Sequence, residues 1–315
     1  MRILVTGAGG FLGRALLKQI ASMPQVDTKV WTRAFGRWPG PGTAIPIALD
    51  LRNWTPNMEQ ELKGVDTVLH LAAQAASRAQ TNLDDFMQSN CKFTACLAEA
   101  SARNGVRHFV FVSTVKVCGE QSSGRPIDGF SPAAPQDAYA VSKYMAEQRL
   151  AEIATRSPMQ VTVVRPPLVV GQNAGGNVRL LSKALVKGIP LPLKAFSQNR
   201  RSFIGVTDLA DFLVTITLSS QRHSGPYVVQ SGTPLSTVEF VQMLADGLGV
   251  KARLLYAPTG LLRMTSRLLG ASDAFLRLAG DLEVDDSKAR SDIGWTPPFG
   301  LAPEFRAMRS DLANL

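Results

Sequence analysis

The sequence predicts an α/β protein in which a doubly wound parallel sheet carries a smaller α/β C-terminal domain. Three observations lead to this fold class. A glycine-rich stretch, TGAGGFLG, directly follows the apolar run RILV near the start of the 315-residue chain. Short apolar runs then alternate with helical patterns, which is typical of a parallel sheet covered on both faces. After Gly171 this alternation ends.

The strands and helices follow from these patterns in chain order. RILVTG predicts the first strand, residues 12 to 22 the first helix, and KVWTR the second strand. TVLHLAA, HFVFVST and QVTVVRPPLVVG predict further strands separated by helices. We expect residues 1–170 to form the sheet domain and residues 171–315 mainly a substrate domain, with the chain near 201–220 returning to the sheet domain. The second domain should lie over the carboxyl ends of the strands, where such sheets bind ligands.

Composition narrows the classes of partner. The net charge of +9 permits an anionic partner, but the basic residues are dispersed rather than clustered or interleaved with aromatic residues. This favours a solvated basic surface with a few phosphate-binding arginines over nucleic-acid binding. No run reaches the roughly 18 apolar residues of a membrane span. Cys91, Cys96 and Cys118 form no CxxC pair, so we expect neither zinc nor disulfides, and a reducing cytoplasm.

Residues 258–280, PTGLLRMTSRLLGASDAFLRLAG, carry leucines at helical spacing with Arg263, Arg267 and Arg277 between them. A helix lying on a membrane surface is one interpretation of this pattern. The interpretation that we favour is a helix pair that packs its leucines into the small domain.

The glycines of TGAGGFLG predict a phosphate-binding loop. Gly7 and Gly10 would let the backbone approach a pyrophosphate, which then lies on the N-terminus of the following helix. Gly13 would let that helix pack closely on the sheet. Because the motif follows a strand and opens a helix, dinucleotide binding is favoured over a tight turn without a ligand.

The end of the second strand indicates which dinucleotide is bound. An acidic residue is usual there, to accept from the ribose hydroxyls, but the sequence has Thr32 and Arg33. An arginine can pair with a ribose 2′-phosphate, and Arg14 could supply a second donor. The alternative is that Arg33 is only a surface residue. We therefore expect NADP(H), with NAD(H) as the alternative.

Tyr139 and Lys143 are the candidate catalytic pair. They are four residues apart in a helical pattern and so share one face. An ammonium beside the phenol should lower the pKa of Tyr139, which could then act as general acid or base on a carbonyl/alcohol pair. HFVFVST ends in two hydroxyl residues that could hold the substrate oxygen.

Taken together, the motifs resemble the extended short-chain dehydrogenase/reductase group, the NAD-dependent epimerase/dehydratase family, over nearly the whole chain. The pieces that carry the resemblance are TGAGGFLG, LDL at 49–51, HLAA at 70–73, Asn90, STVKVCG, YAVSK, RPPLVVG, RRSFIGVTDLA and DDSKARSDIGW. The resemblance implies an enzyme with a Rossmann-like fold. It implies Thr114, five residues before Gly119, as the partner of Tyr139 and Lys143.

The resemblance also implies binding residues. Those implied for the cofactor, besides Gly7, Gly10, Arg14, Arg33, Tyr139 and Lys143, are Phe11, Leu12, Asp50, Leu51, Leu71, Ala72, Ala73, Pro166 and Val169. Those implied for the substrate are Thr114, Tyr139, Asn177 and Arg201, the last two at a nucleotide diphosphate. Asn90 is either a supporting residue of the site or a buried amide satisfied by backbone.

Departures from the family pattern refine the expected reaction. Val115-Lys116 follows Thr114 where the sugar-nucleotide 4,6-dehydratases carry Asp-Glu, and Leu168 replaces a common asparagine. STVKVCGE, RPPLVVG and LPLPLKAFSQNRRSF are similar to the branch that contains UDP-4-keto-6-deoxy-N-acetylglucosamine 4-reductases. The resemblance thus implies NADPH-dependent reduction at C4 of a UDP-linked keto sugar. Alternatives are a UDP-sugar 4-epimerase with bound NAD⁺ and a non-catalytic NAD(P) sensor. The family resemblance also implies a homodimer through the helices around residues 86–103 and 138–154.

Overall fold

The protein is described by a computed structural model that covers residues 1–31, 43–45, 54–75, 82–122, 124–221, 223–268 and 272–314. The strands in these ranges are β1 (Arg2–Thr6), β2 (Asp27–Trp31), β3 (Thr43–Ile45), β4 (Thr67–His70), β5 (His108–Val112), β6 (Gln160–Arg165), β7 (Leu168–Val170), β8 (Phe203–Gly205) and β9 (Gly225–Val228).

Seven of these strands form one parallel sheet in the order β3-β2-β1-β4-β5-β6-β9, and β7 pairs in parallel with β8. The strand order reverses between β1 and β4. At such a point the loops leaving neighbouring strands diverge, which opens a crevice at the carboxyl ends. The predicted fold class is therefore confirmed.

Helices cover the sheet and build the second half of the chain. They are α1 (Phe11–Ile20), α2 (Pro56–Gln60), α3 (Leu83–Phe86), α4 (Phe93–Arg103), α5 (Ala138–Thr155), α6 (Gly176–Val186), α7 (Val206–Leu218), α8 (Thr237–Leu248), α9 (Thr259–Leu268), α10 (Ser272–Ala279), α11 (Ser287–Ile293) and α12 (Ala302–Ala307). A π-helical turn, Met87–Lys92, joins α3 to α4, and 3₁₀ turns span Val115–Cys118 and Met308–Asn314.

The core lies in two layers, one on each face of the sheet. On one face α1 and α7 pack residues such as Leu16 and Phe212 against β1 and β5. On the other face α4 and α5 contribute Leu97 and Leu150. Helix α5 begins where the Asp137 side chain accepts a hydrogen bond from the Ala140 amide at 2.7 Å, a standard N-cap.

Besides these two apolar layers, a third apolar cluster, here called the third core, forms between α6, α8 and α12. Phe240 of α8 stacks on Phe203 of β8, with ring centroids 4.3 Å apart, and contacts Phe305 of α12 edge-on. Strand β9, which the sequence did not predict, pairs with β6 and so extends the main sheet from the second half of the chain. The domain boundary near residue 170 stays a prediction.

The helix pair expected within residues 258–280 is present as α9 and α10, but only part of it packs as predicted. Phe275 and Leu278 of α10 contact the third core, and the Phe275 ring lies 5.7 Å from that of Phe196. No residue of α9 is buried, and only Leu262 of α9 contacts that core. Within the described residues no helix is long and apolar enough to cross a membrane.

Close packing at the start of α1 gives a prediction for Gly13. A Cβ there would lie 2.6 Å from the Cα of Ala8, whereas no atom lies within 4 Å of a Cβ added at Gly260 in α9. We expect Gly13→Ala to lower the free energy of unfolding by about 1–3 kcal/mol, as overpacking does. Gly260→Ala should leave it unchanged or raise it by up to about 1 kcal/mol. Urea unfolding measures both, and equal effects would contradict the close packing at Gly13.

Candidate active site

The loop between β1 and α1 has the backbone form that a phosphate cradle needs. Gly7 has a φ of 74°, and a Cβ there would lie 2.6 Å from the amide nitrogen of Ala72. Only glycine therefore lets this loop lie against the segment that follows β4. Gly10 caps α1 without a side-chain hydrogen bond, and the first turn has no acidic residue. The free amide groups of that turn can donate hydrogen bonds to a diphosphate, so the loop fits a dinucleotide.

The segment after β4 forms the facing wall of this loop. The amides of Leu71 and Ala72 donate to the backbone carbonyl and the hydroxyl of Thr6, at 3.2 and 3.3 Å, and Ala73 follows. Asn90 fixes the end of the segment, because its side chain accepts from the Gln74 amide at 2.8 Å and donates to the Gln74 carbonyl at 3.1 Å. Asn90 also donates to the Ser142 hydroxyl of α5 at 3.1 Å, so this buried amide ties the strip predicted to lie beneath the cofactor to α5.

Four of the other residues predicted to bind the cofactor line one of two cavities. Leu12, Pro166 and Val169 line the large cavity, which is also lined by the predicted catalytic residues Thr114 and Tyr139. Phe11 packs against the third core, and Arg14 lines a smaller cavity of about 230 Å³ together with Arg179 and Asp311. Arg33, Asp50 and Leu51 lie outside the described residues.

The large cavity, of about 730 Å³, lies at the carboxyl ends of β5 and β6. Thr114 and Tyr139 line it, as do the predicted substrate residues Asn177 and Arg201. Thr114 follows β5 and caps the 3₁₀ turn, where its hydroxyl accepts from the Lys116 amide at 3.3 Å. Tyr139 is in the first turn of α5, and its ring packs edge-on against Phe86 at 6.0 Å.

Lys143 lies one turn beyond Tyr139 and is buried, with its Nζ 4.1 Å from the centre of the Phe111 ring. Burial lowers the pKa of Lys143 to about 7, although the Glu147 carboxylate acts in the opposite direction. Burial also raises the pKa of Tyr139 to about 12, with a smaller contribution from Asp137. The sequence argument expected the Lys143 ammonium to lower the pKa of Tyr139. Burial of the phenol acts in the opposite direction and raises the pKa of Tyr139 instead.

A matching family model supports the interpretation of this geometry. The family described as "NAD dependent epimerase/dehydratase family" matches residues 3–229. The chain belongs to this family. It is also similar to the UDP-glucose 4-epimerase of Vibrio cholerae, with 32% identity over 309 residues that cover 96% of this chain and 93% of the relative. The predicted family is confirmed, and so is the prediction that the chain is an enzyme.

Two solved structures share the fold. The UDP-N-acetylglucosamine 4-epimerase from Bacillus cereus superposes with a TM-score of 0.78 at 21% identity, covering 98% of each chain. The UDP-glucuronic acid 4-epimerase from Bacillus cereus, in complex with NAD, superposes with a TM-score of 0.79 at 18% identity, covering 100% of this chain and 99% of that one. At this identity the likeness describes the fold alone.

A buried ion pair joins β6 to α5, the helix that carries the predicted catalytic residues Tyr139 and Lys143. Arg165, at the end of β6, donates from Nε and Nη2 to the Glu147 carboxylate at 3.1 and 2.6 Å. The two side chains are 9% and 5% exposed. The Ser113 hydroxyl also donates to Glu147. Ser113 is thereby engaged, whereas within the described part of the chain the neighbouring Thr114 hydroxyl meets only the Lys116 amide, which agrees with the choice of Thr114 as the substrate-facing group.

Sequence reasoning missed a second set of charged residues in the cavity. Arg277 of α10 lies 3.6 Å from Glu120, and Lys116 lies 2.6 Å from the same carboxylate. Lys116 also pairs with Asp137, the N-cap of α5. Arg201 donates to the Gly280 carbonyl at 2.7 Å, and burial lowers its pKa. The regular spacing of Tyr139, Lys143 and Glu147 along α5 could have revealed Glu147, but nothing in the sequence placed Arg277 beside Arg201.

The buried Lys143 predicts a pH-dependent stability. Its pKa falls from 10.5 to about 7 on folding, so between these values the unfolded chain binds more protons and stability rises with pH. Lys143→Met should therefore be more stable than wild type by a few kcal/mol near pH 7, and this advantage should vanish toward about pH 10. His70, with its pKa lowered to about 3 by burial, stays neutral throughout.

Urea unfolding across that pH range measures the difference between the two proteins. Lys187→Met, at an exposed lysine just after α6, is the matched control and should show no pH-dependent difference. A constant gap between Lys143→Met and wild type would show that Lys143 is charged in the folded protein throughout.

Proposed function

We propose that this protein is an NAD(P)-dependent oxidoreductase that acts at C4 of a UDP-linked sugar. Its net reaction in this proposal is the reduction of a 4-keto-6-deoxy-N-acetylhexosamine nucleotide to the 4-hydroxy sugar. The observation that carries the proposal is the placement of Thr114 and Tyr139 on one cavity, with the Tyr139 pKa raised to about 12. At neutral pH Tyr139 holds its proton, as a tyrosine with its ordinary pKa near 10 also would, and this is the form that ketone reduction uses.

The residues of the chain act in the following way. The Tyr139 hydroxyl donates its proton to O4 as the ketone becomes an alcohol, and solvent then returns a proton to Tyr139. Thr114 holds the same oxygen by a hydrogen bond from its hydroxyl. Lys143 would hold the nicotinamide ribose by a hydrogen bond, and its ammonium would stabilise the negative charge that develops on Tyr139 as the proton leaves. A bound reduced nicotinamide supplies the hydride that C4 receives.

The lining of the cavity supports the choice of substrate. Asn177 and Arg201 supply polar groups for a nucleotide diphosphate on the side of the cavity formed by the second half of the chain. Val115, Pro167 and Leu168 give an apolar wall near Thr114, which suits the C6 methyl of a deoxy sugar better than a hydroxymethyl group. Lys116 is held by Glu120 and Asp137, so the positions after Thr114 provide no acid–base pair for dehydration.

A UDP-sugar 4-epimerase is the second candidate. The specific observation in its favour is the 32% identity to the UDP-glucose 4-epimerase of Vibrio cholerae over 96% of this chain. The same residues would serve, because Tyr139 would take the proton from the C4 hydroxyl and return it after the keto sugar has turned over.

We also propose a homodimer through α4 and α5, where Met145 of α5 is exposed.

Two reactions separate the candidates. Mass spectrometry follows the reduction, which adds two hydrogens, and proton NMR follows the epimerisation, whose product has the same mass as its substrate. In one, the enzyme receives UDP-4-keto-6-deoxy-N-acetylglucosamine with NADPH or NADH; in the other, it receives UDP-glucose or UDP-N-acetylglucosamine with no added reductant. We expect turnover in the first alone. Formation of the galactose epimers in the second, with NAD⁺ copurifying, would overturn the reductase in favour of the epimerase. Turnover in neither would contradict both.

Tyr139→Phe tests the proton donor. The variant lacks the hydroxyl but keeps the ring against Phe86, so turnover should fall by roughly two to four orders of magnitude, the scale of a lost general acid. Cofactor affinity should stay nearly unchanged. Tyr144→Phe, on the same helix but outside the cavity lining, is the matched control and should keep full turnover. Near-normal turnover of Tyr139→Phe would remove Tyr139 from its role.

We further propose that the preferred cofactor is NADP(H), on the strength of Arg33. Arg33→Asp would replace attraction to a 2′-phosphate by repulsion, so NADPH affinity should fall by about 2–4 kcal/mol. NADH affinity should hold or improve because the new carboxylate can accept from the ribose hydroxyls. Titration with both reduced cofactors measures the change, and Lys18→Asp on the exposed side of α1 controls for net charge. A wild type that prefers NADH would contradict the role of Arg33.

A further inference from the structure

Helix α9 turns an apolar stripe away from the protein. Leu261, Met264 and Leu268 follow each other at helical spacing of three and four residues, so they lie on one face. All three are exposed, and Leu268 is 79% exposed. The side of α9 that meets the protein carries the half-buried Leu262 and Ser266 instead. A helix whose only role is to cover the small domain would present the opposite orientation.

Two further large apolar side chains are exposed in the segment just before the helix. Leu255 and Tyr256 are both exposed. We refer to Leu255, Tyr256, Leu261, Met264 and Leu268 together as the α9 face. Large apolar side chains exposed singly are ordinary, but five within fourteen residues form the kind of patch that marks an interaction surface.

The charged residues of the segment that carries the α9 face are all of one sign. Between residues 251 and 268 the sequence has Lys251, Arg253, Arg263 and Arg267 and no Asp or Glu. Arg263 and Arg267 are exposed and one turn apart, beside the apolar stripe. An apolar stripe with a purely cationic flank complements a surface that is anionic outside and apolar beneath, which is the profile of an anionic lipid bilayer.

The α9 face is also joined closely to the large cavity. The Leu255 amide donates to the Leu191 carbonyl at 2.9 Å, and the Leu191 amide donates to the Arg253 carbonyl at 2.8 Å. Leu191 lines the cavity, as do Arg277 and Leu278 of the next helix, α10. A surface that binds the α9 face would therefore be separated from the large cavity only by the segment that contains Leu191.

We propose that the α9 face docks this protein onto an anionic lipid bilayer. Leu261, Met264 and Leu268 would enter the boundary between headgroups and acyl chains, while Arg263 and Arg267 meet the lipid phosphates. The helix lies in the plane of the interface. This inference does not depend on the reaction proposed above, since it rests on a surface outside the catalytic residues.

Co-sedimentation of the full chain with vesicles tests the proposal. Wild type should bind vesicles rich in phosphatidylglycerol, bind pure phosphatidylcholine vesicles far less, and lose affinity as salt is raised. Leu261→Ser combined with Leu268→Ser should weaken binding to the anionic vesicles at least about tenfold, by removing apolar burial. Arg263→Gln combined with Arg267→Gln should weaken it by about tenfold or more, and only on anionic vesicles.

Phe130→Ser is the matched control, because Phe130 is 77% exposed but lies far from α9 in the sequence and outside the α9 face. It should bind as wild type does, and thermal unfolding should show that every variant is folded. The proposal is overturned if wild type ignores anionic vesicles, which would leave a protein partner to cover the face. It is equally overturned if Phe130→Ser weakens binding as much as the leucine pair. A fall in oligomer size, seen by light scattering only in the Leu261/Leu268 variant, would assign the face to a second copy of the chain.

Discussion

The buried pair between Arg165 and Glu147 is the interaction on which the site depends. It joins the end of β6 to the middle of α5, and Ser113 at the end of β5 donates to the same carboxylate. Two of the groups that face the cavity, Thr114 and Tyr139, lie on or next to these three elements. Two charges withdrawn from water contribute little net stability, but removing one partner strands the other at a cost of about 3–5 kcal/mol. The pair therefore acts less as a source of stability than as a fixed point that sets the distance between the sheet and α5.

Lys143 shows why this fixed point matters. The lysine is buried against the Phe111 ring with its pKa lowered to about 7, and Glu147 is the nearby negative charge that limits the fall. Burying a group with such a low pKa opposes folding, so the sheet and α5 must be held together by contacts elsewhere. The two apolar layers of the sheet supply those contacts. When Lys143 is protonated, its buried ammonium is poorly hydrated. It therefore interacts strongly with negative charge that develops on Tyr139.

The sequence predicted features that depend on local spacing and missed those that depend on chain path. The phosphate loop and the pair of Tyr139 and Lys143 are fixed by a few neighbouring residues, so their geometry can be derived without the fold. Arg165 meets Glu147 only because β6 lies beside β5, and Arg277 reaches the cavity only because α10 folds back beneath Arg201. The direction of the Tyr139 pKa was wrong for the same reason, because it is set by how much chain covers the phenol, which spacing along a helix does not reveal.

Helices α9 and α10 show the limit of periodicity most clearly. Both contain leucines and arginines within the pattern of residues 258–280, and that pattern correctly predicts that each is amphipathic. Amphipathic periodicity, however, defines two faces and does not state which one meets the protein. In α10 the apolar side meets the third core through Phe275 and Leu278. In α9 the contact with that core is made by Leu262, so the larger apolar stripe is left outside. The same kind of apolar side chain is thus packed in α10 and exposed in α9. The difference comes from where each helix lies relative to the third core, which α6, α8 and α12 already fill.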